Sequence, residues 1–434
     1  MKAGYSTMNR KLYLFLPNLG MGGAEKVAAR LSIALESYEK TFVLLDKTVA
    51  YPHAGALKIL HIESSLRRSW FGKLFKLLRL YRAVRGIKKE VGGGISLSFM
   101  PLLNIINILT RRQEKVVISV RNFESRNLSS DTRAAAWVYR VLIRMLYKKA
   151  DSVVVVSRSA AHDLVTNFGV PAQKVKTIYN PVDLDRIAAD AAEVPEAYGE
   201  LFRSRTLTHV GSFKRAKGHR HLIRIFARLK QSHPDLRLLL IGDGPLLSEM
   251  ANLSESLGLR VHRHTDRAEA APSIADSDIY FLGERTNPYQ IVARSTLFLH
   301  PSLWEGFPNV LLEAMACGVP IIAADCPSGP RELLAPETDF LRPAHRTEYT
   351  DNGILLPPFE TESPSFDASL SDAETRWVSA VGDLLEHPER GAAMAEHASE
   401  RVKAFQTDRI MREWDEEFSS LYRKRDNRTV TKER

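Results

Sequence analysis

Short apolar runs alternate with longer amphipathic stretches along most of the chain. Runs of a few residues rich in Val, Ile, Leu and Phe are typical of buried strands. They lie at 11–16, 41–45, 57–62, 95–99, 116–120 and 152–156, and then at 207–210, 237–241, 279–283, 297–299, 319–324 and 353–357. Strands that alternate with helices build parallel sheets, so the pattern predicts an α/β protein with doubly wound sheets.

The length of the chain indicates more than one domain. Its 434 residues exceed what one compact core accommodates, whereas two domains of about 200 residues each would fit. An Asn-Pro-Val-Asp turn at 180–183 precedes a stretch rich in Ala and acidic residues. We therefore predict a first domain over 1–186, a linker over 187–200, a second domain over 201–395, a helix over 396–425 and a disordered tail over 426–434.

The segment from 296 to 332 has the most informative pattern. Two apolar strands flank a helix that we expect Pro308 to open and Gly318 to close. This helix is apolar on nearly all sides, which is typical of a buried helix. Asn309 and Glu313 are polar exceptions, and their spacing of four places them on one face.

The carboxylate of Glu313 needs a polar partner, because burying a charge alone is unfavourable. A structural arginine such as Arg331 is one candidate, and a ligand with hydroxyl groups is another. In front of the helix, Glu305, Gly306 and Phe307 form a tight loop. Its backbone N–H groups and the helix N-terminus behind them suit an anion such as a diphosphate.

A second loop, at 211–218, joins a strand to a helix and carries three cations. Lys214, Arg215 and Lys217 precede Gly218 in it. Cations and backbone N–H groups in such a loop form an anion pocket, although lysines and arginines in loops are mostly just solvated. The loop is therefore a candidate binding element that needs a second indication.

Residues 305–313, EGFPNVLLE, followed by AMACGVP, resemble the donor-site signature of the retaining glycosyltransferases of family four. The resemblance covers most of the chain and implies the GT-B fold, in which two Rossmann-like α/β domains face each other across a cleft and the last helix crosses back to the first domain. It also implies that Glu313 holds the ribose hydroxyls of a nucleotide sugar. Glu305 and the backbone after it would contact the sugar and the diphosphate, at Gly306, Phe307, Pro308 and Asn309.

The same resemblance assigns roles to the 211–218 loop and to two later turns. Lys217 matches a lysine that clamps the donor diphosphate, whereas Ser212 stands where the family has an arginine, for which Arg215 is the candidate substitute. Gly242 lies in a turn at the cleft edge, and Gly283 is in the stretch that meets the nucleotide base. The expected catalytic residues are Glu305, Lys217 and Arg215, with no dedicated nucleophile.

Two turns at strand ends in the first half are candidates for the acceptor site. The turn that contains Gly22 and Gly23 needs unusual backbone angles, and it also lets a phosphate or sugar approach closely. In the resembled family this loop faces the cleft, so Gly22, Gly23 and Glu25 carry over. After the strand at 116–120, Arg121 and Arg126 offer guanidinium groups to an acceptor phosphate, or are simply solvated.

The positive charge of the chain is concentrated in its first half. Residues 1–186 contain 31 Lys and Arg against 13 Asp and Glu, within a total net charge of +10. The helical stretch at 66–89 has nine basic residues and no acidic one. Its apolar arc (Trp70, Leu74, Leu77, Leu78, Tyr81 and Val84) lies opposite Lys73, Lys76, Arg79 and Arg82, which favours an anionic membrane surface over an ordinary crossover helix.

Several classes of protein are excluded by composition. The two cysteines form neither a disulfide framework nor a zinc pattern, and we assign no metal to the polar group His262, Arg263, His264 and Asp266. No nucleic-acid recognition motif accompanies the cations. The N-terminus is poor as a signal peptide, and no window is apolar enough to span a membrane, so we expect a cytoplasmic, peripheral protein at the inner face of the membrane.

The resemblance implies a retaining glycosyltransferase that uses a nucleotide sugar as co-substrate, with UDP as the expected nucleotide and no metal. Its expected acceptor is a saccharide on a polyprenyl diphosphate, and its product a cell-surface glycan. Hydrolysis or epimerisation of the nucleotide sugar on the same fold is the alternative. A non-enzymatic basic protein that binds membrane or nucleic acid is a further, less favoured alternative.

Overall fold

The computed structural model describes residues 10–20, 22–60, 70–91, 93–127, 133–194, 196–264, 277–360 and 369–430 of the chain. Contacts divide the chain into two compact units. The first is Met1–Pro181 with Thr407–Arg434, and the second is Val182–Gln406. Each unit contains one largely parallel sheet covered by helices, which confirms the prediction of two parallel-sheet α/β domains.

The first unit is built on a seven-stranded parallel sheet of order β3-β2-β1-β4-β5-β6-β7. Its strands are β1 Arg10–Leu16, β2 Tyr38–Leu44, β3 Ala56–Ile59, β4 Ile95–Phe99, β5 Lys115–Val120, β6 Ser152–Val155 and β7 Val175–Thr177. Its helices are α1 Gly23–Ala34, α2 Trp70–Val91, α3 Pro101–Leu109, α4 Glu124–Asn127, α5 Arg133–Leu146, α6 Arg158–Phe168 and, from the end of the chain, α15 Thr407–Val430.

The last helix, α15, completes the core of the first unit. Trp414 and Phe418 are fully buried in the same cluster as the strands β1, β2 and β4. The phenol of Tyr422 donates a hydrogen bond of 3.0 Å to the Lys11 carbonyl, so the helix is also tied to β1. Helix α15 continues to Val430, into the predicted disordered tail, and residues 431–434 lie outside the described chain.

The second unit contains an eight-stranded sheet of order β10-β11-β9-β8-β12-β13-β15-β14, in which β14 alone is antiparallel. Its strands are β8 Thr206–Val210, β9 Arg237–Ile241, β10 Val261–Arg263, β11 Ile279–Gly283, β12 Leu297–His300, β13 Ile321–Ala324, β14 Glu348–Thr350 and β15 Gly353–Leu356. Its helices are α7 Leu184–Ala192, α8 His219–Ser232, α9 Leu247–Ser256, α10 Tyr289–Val292, α11 Asn309–Ala316, α12 Pro330–Leu334, α13 Asp372–Glu386 and α14 Pro388–Arg401.

The segment predicted as a linker, 187–200, is structured and belongs to the second unit. Most of its first half lies in α7, and a 3₁₀ helix follows at Glu196–Arg203. The amide of Asn287 donates to the Asp190 carbonyl over 2.7 Å, and Arg294 donates to the Ala191 carbonyl over 2.9 Å. These long-range bonds hold the segment against α10, and composition alone could not reveal them.

Three short strands were not predicted. Strands β7, β10 and β14 have three residues each, and β10 contains His262 and Arg263 of the polar group to which we assign no metal. Such strands are too short to show a period in the sequence, and pairing with a neighbour defines them.

Helix α2 is buried along one half and exposed along the other. Leu80, Val84 and Ile87 pack with Phe15 of β1, as in an ordinary crossover helix. Towards the N-terminus, Phe75, Leu77 and Leu78 are 53%, 38% and 47% exposed. Residues 66–69 and the side chains of Trp70, Lys73 and Leu74 lie outside the description, so the predicted apolar arc is seen only in part.

Within the residues that the structure describes, every helix is too short or too polar to cross a bilayer.

Candidate active site

Lys217 and Glu305 form an ion pair at the edge of the second sheet where its parallel strands have their carboxyl ends. The ammonium of Lys217 donates to Oε1 of Glu305 over 2.6 Å, and the two side chains are 22% and 11% exposed. Lys217 follows β8, and Glu305 lies between β12 and α11. Since β8 and β12 pair in parallel, their carboxyl ends lie side by side, where open α/β sheets bind ligands. The structure thus brings together two predicted residues that are 88 positions apart.

The same oxygen of Glu305 has two more polar neighbours. The hydroxyl of Ser302 donates to Oε1 over 2.7 Å. The imidazole of His300 has Nε2 at 3.5 Å from Oε1, without hydrogen-bond geometry. Three groups therefore surround one carboxylate oxygen, which fixes the orientation of the Glu305 side chain.

The loop that carries Lys217 packs directly on the loop that carries Glu305. The amide of Leu303 donates to the Ala216 carbonyl over 2.7 Å. Gly218 has φ +67°, and a Cβ there would lie 2.0 Å from the Pro301 carbonyl oxygen. Only glycine permits both this backbone conformation and this approach. The close fit places Lys217 at the Glu305 carboxylate.

A third loop supports the approach to α11. The hydroxyl of Ser328 donates to the Gly306 carbonyl over 2.5 Å, and Ser328 itself has φ 75°, which is uncommon for a residue with a side chain. A Cβ on Gly329 would lie 2.2 Å from Cδ of Pro308. Residues 328–329 thus pack against the backbone of residues 306–308 and support it.

Helix α11 presents its N-terminus beside this loop. Pro308 is its N-cap, in an extended conformation, rather than its first helical residue as predicted, and Asn309 begins the helix. Phe307 is buried, as are the apolar residues Leu311, Leu312, Ala314 and Met315. The helix dipole places a partial positive charge at this N-terminus, which suits an anion.

Glu313 pairs with a tyrosine, and the structural partner suggested for it from the sequence is wrong. The phenol of Tyr289 donates to Glu313 over 3.0 Å. Arg331, the suggested partner, instead donates to Asp325 over 2.6 Å and 2.8 Å and to Glu348 over 2.9 Å. Arg331 therefore stabilises the fold next to β13 and is not the partner of the Glu313 carboxylate.

Three buried histidines lie next to the Lys217–Glu305 ion pair. The His209 ring is 4.8 Å from that of His219 and 6.3 Å from that of His300. Burial, reinforced by His300, lowers the pKa of His209 to about 3. Burial also holds the pKa values of His219 and His300 well below 6.5, with Lys217 adding to the effect. These rings are therefore neutral, and Lys217 carries the positive charge at this point.

The other predicted donor residues lie along the same edge of the sheet. A Cβ on Gly242 would lie 2.3 Å from the Gly211 carbonyl oxygen, and the Gly242 amide donates to the Gly283 carbonyl over 2.9 Å. The carboxyl ends of β8, β9 and β11 therefore meet backbone to backbone. Ser212 is partly exposed, and Arg215 is exposed in the same turn as Lys217.

In the first unit, two predicted acceptor residues are electrostatically coupled. Arg121 donates to the Asn180 side chain over 2.5 Å and lies over the Phe99 ring. Burial lowers the pKa of Arg121 to about 10, and the Glu25 carboxylate opposes that shift. The Glu25 side chain folds over Gly22, where a Cβ would lie 2.1 Å from its Oε2.

The remaining acceptor candidates are Gly23 and Arg126. Gly23 begins α1, and Arg126 is exposed on α4. Beside Arg126, Glu124 is buried, and burial together with Asp163 raises its pKa to about 8. Asp163 accepts from the Ser125 amide over 3.0 Å and so anchors α4.

Sequence reasoning missed five polar residues at these sites. They are Asn180, Tyr289, His300, Ser302 and Ser328. His300 and Ser302 stand directly at the carboxyl end of β12, and that position could have identified them. Tyr289 and Ser328 gave no local signal, because their contacts join segments that are distant in the sequence.

No group of three or more His, Cys, Asp or Glu side chains is arranged to hold a metal ion in the part of the chain that the structure describes. His262 and Arg263 belong to β10, whereas Asp266 lies outside the described residues.

Two family models match the chain. Residues 21–186 match the model described as Glycosyltransferase Family 4, and residues 204–358 match the model described as Glycosyl transferases group 1. The first match lies mostly in the first unit and the second within the second unit. Most of the first sheet and the whole of the second thus lie within models of glycosyltransferases.

Two curated relatives match most of the chain. An uncharacterized glycosyltransferase of Methanocaldococcus jannaschii is 26% identical over 85% of this chain and 87% of its own length. The N-acetylgalactosamine-N,N'-diacetylbacillosaminyl-diphospho-undecaprenol 4-alpha-N-acetylgalactosaminyltransferase of Campylobacter jejuni is 27% identical over 93% of this chain and 98% of its own length.

Solved structures match over nearly the whole chain. Anabaena HepE, in complex with UDP and glucose, has a TM-score of 0.69 at 18% identity and covers 95% of this chain and 100% of its own. Sucrose-phosphate synthase of Thermosynechococcus elongatus has a TM-score of 0.71 at 16% identity, covering 95% and 99%. At these identities the likeness is one of fold.

Proposed function

We propose that the chain, which resembles the family-four glycosyltransferases and has their GT-B fold, transfers a hexose or N-acetylhexosamine from a UDP-sugar to a lipid-linked saccharide with retention of configuration. The observation that carries the proposal is the Lys217–Glu305 pair beside the N-terminus of α11. A cation, a carboxylate and a helix N-terminus at one sheet edge match the parts of a nucleotide sugar.

Catalysis in this proposal is electrostatic. As the bond to the sugar breaks, the leaving diphosphate gains negative charge, which Lys217, Arg215 and the α11 N-terminus stabilise. Glu305 orients the transferred sugar through its hydroxyls. The neighbouring histidines are neutral because their pKa values are lowered, so they do not compete with Lys217 as cations. No metal is assigned to this work.

The nucleotide half of the donor is assigned to the rest of the same edge. Glu313, held by Tyr289, accepts hydrogen bonds from the ribose hydroxyls. Gly283 has open space beside its Cα, which we assign to the base, whereas Gly242 packs against the Gly211 carbonyl and shapes the turn next to it. Ser212 is assigned to the diphosphate. The complex of Anabaena HepE with UDP supports UDP as the first nucleotide to test.

The acceptor is assigned to the first unit. Arg121 and Arg126 are cations at the carboxyl end of β5, and Glu25 with the glycines at 22 and 23 borders the end of β1. A diphosphate on a lipid carrier suits these cations. The Campylobacter jejuni relative is named for a diphospho-undecaprenol acceptor, which supports a polyprenyl diphosphate here.

The carrier lipid implies contact with a membrane, and the α2–α5 surface suits an anionic one. We define this surface as Phe75, Leu77 and Leu78 of α2 with Trp137, Val138 and Met145 of α5. All six residues are exposed, with Trp137 at 67%, and both helices pack against α3. Exposed cations are interleaved with them, at Lys76, Arg79, Arg82, Arg140 and Arg144. Aromatic and apolar side chains among cations are typical of peripheral binding to anionic lipid, here at the cytoplasmic face.

The test is a binding screen followed by transfer. Thermal shift with UDP-, GDP- and ADP-sugars should single out UDP-sugars, and transfer to polyprenyl-diphosphate saccharides should release UDP only when the acceptor is present. NMR of the product should show the anomeric configuration of the donor. Equal UDP release with and without acceptor would indicate a hydrolase, and binding of no nucleotide sugar would refute the proposal.

A further inference from the structure

Lys217 and Glu305 form an ion pair with each other, although the proposed function assigns Lys217 to the diphosphate of the donor and Glu305 to its sugar. This inference rests on that function. A diphosphate oxygen that reaches Lys217 competes with Oε1 of Glu305, which is 2.6 Å from the ammonium. When the ammonium turns to the diphosphate, Glu305 loses its strongest partner. A largely buried carboxylate needs a replacement to stay oriented.

His300 stands where that replacement is needed. Its Nε2 lies 3.5 Å from Oε1 of Glu305, and its side chain is completely buried. Among the described residues, neither ring nitrogen of His300 has a hydrogen-bond partner. Buried polar atoms are rarely left unpaired, so such an atom beside a functional carboxylate points to a bond made at another stage.

We propose that His300 is a positioning residue that takes over Glu305 when Lys217 turns to the leaving diphosphate. Nε2–H of His300 then donates to Oε1 of Glu305, while Ser302 keeps its bond of 2.7 Å to the same oxygen. Glu305 thus stays aimed at the sugar throughout the exchange.

The electrostatics of the ring fit this role. Burial, and then the charge of Lys217, keep the pKa of His300 well below 6.5. A neutral imidazole has one N–H to donate and does not repel the ammonium. A second cation at this place would compete with Lys217 for Glu305. The neutral ring supports Glu305 without disturbing the charge that meets the diphosphate.

The direct test observes the imidazole. Protein labelled with ¹⁵N-histidine is titrated with UDP and, as a matched control, with uridine, which lacks the diphosphate. His300→Gln identifies the resonance. The expected result is that UDP shifts His300 Nε2 and slows exchange of its proton, whereas uridine does neither. An unchanged His300 signal at saturating UDP, or the same change with uridine, overturns the proposal.

The kinetic test compares two substitutions of the ring. His300→Phe fills much of the volume but donates nothing, whereas His300→Gln carries an amide N–H. Using whichever of UDP-glucose, UDP-N-acetylglucosamine or UDP-N-acetylgalactosamine the wild type turns over, we expect His300→Phe to lower kcat about 10- to 100-fold. The Kd for UDP should stay within about twofold, and His300→Gln should recover most of kcat. Equal loss in both variants, or parallel loss of UDP affinity, would indicate a merely structural histidine.

The charge-swapped double variant K217E/E305K separates exchange from simple pairing. If the only role of Lys217 and Glu305 is to pair with each other, the swapped variant should keep the activity of wild type, because the ion pair is still present. The proposal predicts a folded, inactive protein, because the reversed charges face the wrong parts of the donor. Failure of wild-type protein to bind UDP would refute the UDP assignment as well, whereas normal wild-type transfer with an active His300→Phe variant refutes only the role of His300.

Discussion

The phenol of Tyr289 donates a hydrogen bond of 3.0 Å to the carboxylate of Glu313. Tyr289 belongs to α10 and Glu313 to α11, so the bond fixes a carboxylate on one helix through the rigid ring of another. In the proposed function Glu313 binds the ribose, and the direction of this carboxylate therefore sets how well it meets the sugar hydroxyls.

The first prediction concerns the ribose. Wild-type protein should bind UDP about tenfold or more tightly than 2′-deoxyuridine diphosphate, because a hydrogen bond to a charged group is lost. Glu313→Gln should remove most of that preference, and Tyr289→Phe should weaken UDP binding more modestly. Isothermal titration calorimetry measures both. Tyr349→Phe, at an exposed tyrosine of the same unit, is the control, and equal affinities for the two nucleotides in wild type would contradict the assignment.

The second prediction concerns turnover. Lys217→Met and Glu305→Gln should each reduce kcat by about 100-fold or more, since each removes charge from the reacting centre. Because the pair is largely buried, each substitution should also lower the Tm, and far-UV circular dichroism at the assay temperature checks that both variants are folded. Lys214→Met removes an exposed cation from the same loop and should leave kcat near wild type. Wild-type rates in either test variant would refute the roles given to Lys217 and Glu305.

The third prediction concerns the fit between two loops. Gly218→Ala places a methyl group 2.0 Å from the Pro301 carbonyl oxygen, whereas Gly258→Ala has a similar φ, +78°, and open space. The control should cost about 1 kcal/mol for its left-handed conformation, or about 2–4 °C in Tm. Gly218→Ala should lower Tm by at least twice as much and also abolish transfer. Equal Tm values for the two variants would show that the Pro301 contact relaxes freely.

The fourth prediction concerns stability at low pH. Burial raises the pKa of Glu374, but hydrogen bonds from His221, Arg224 and the Ser371 amide outweigh it and lower the pKa from 4.5 to about 2. A lowered folded-state pKa gives stability that is present above pH 4.5 and lost as the pH falls towards 2, about 3 kcal/mol in total.

Glu374→Gln tests this assignment, because it keeps the shape of the side chain without its charge. The variant should be less stable at pH 7, and its urea midpoint should fall less steeply between pH 4.5 and 2 than that of wild type. Glu386→Gln, at an exposed position of the same helix, is the control. Parallel wild-type and Glu374→Gln curves would place the acid sensitivity elsewhere.

The fifth prediction concerns the α2–α5 surface. Phe75→Glu combined with Trp137→Glu should strongly reduce co-sedimentation with vesicles that contain phosphatidylglycerol, since charge replaces the apolar contacts. Binding by wild type should also weaken with salt, because the cations contribute. Leu341→Glu changes a similarly exposed apolar residue of the second unit and should bind as wild type. Salt-independent binding, or dimerisation through this surface in solution, would contradict the membrane role.

Regular strands and helices were predictable because their signal is local. Strands such as β4, β9 and β11 begin and end where the apolar runs do, since a central parallel strand is apolar on both faces. The segment at 187–200 shows the opposite case. Its composition is that of a linker, yet bonds from Asn287 and Arg294 make it part of the second unit.

Candidate site residues were predictable to the extent that motif and spacing define them. The sequence singled out Glu305, Glu313 and Lys217, and the structure brings Lys217 and Glu305 into contact. It did not identify the partner of Glu313, because nothing near Arg331 in the sequence shows that Asp325 and Glu348 neutralise it. Nor did it indicate that His300 and Ser302 surround Glu305.

By itself, the amino-acid sequence determined the class of each domain and the segments that border the candidate site, because apolar periodicity and glycine positions act over a few residues. Only the tertiary structure decided which groups form an ion pair or a hydrogen bond with each other. Those pairings depend on which strands lie side by side, and β8 and β12 are neighbours although about ninety residues separate them along the chain. The partners of a buried charge are set by that packing and not by local sequence.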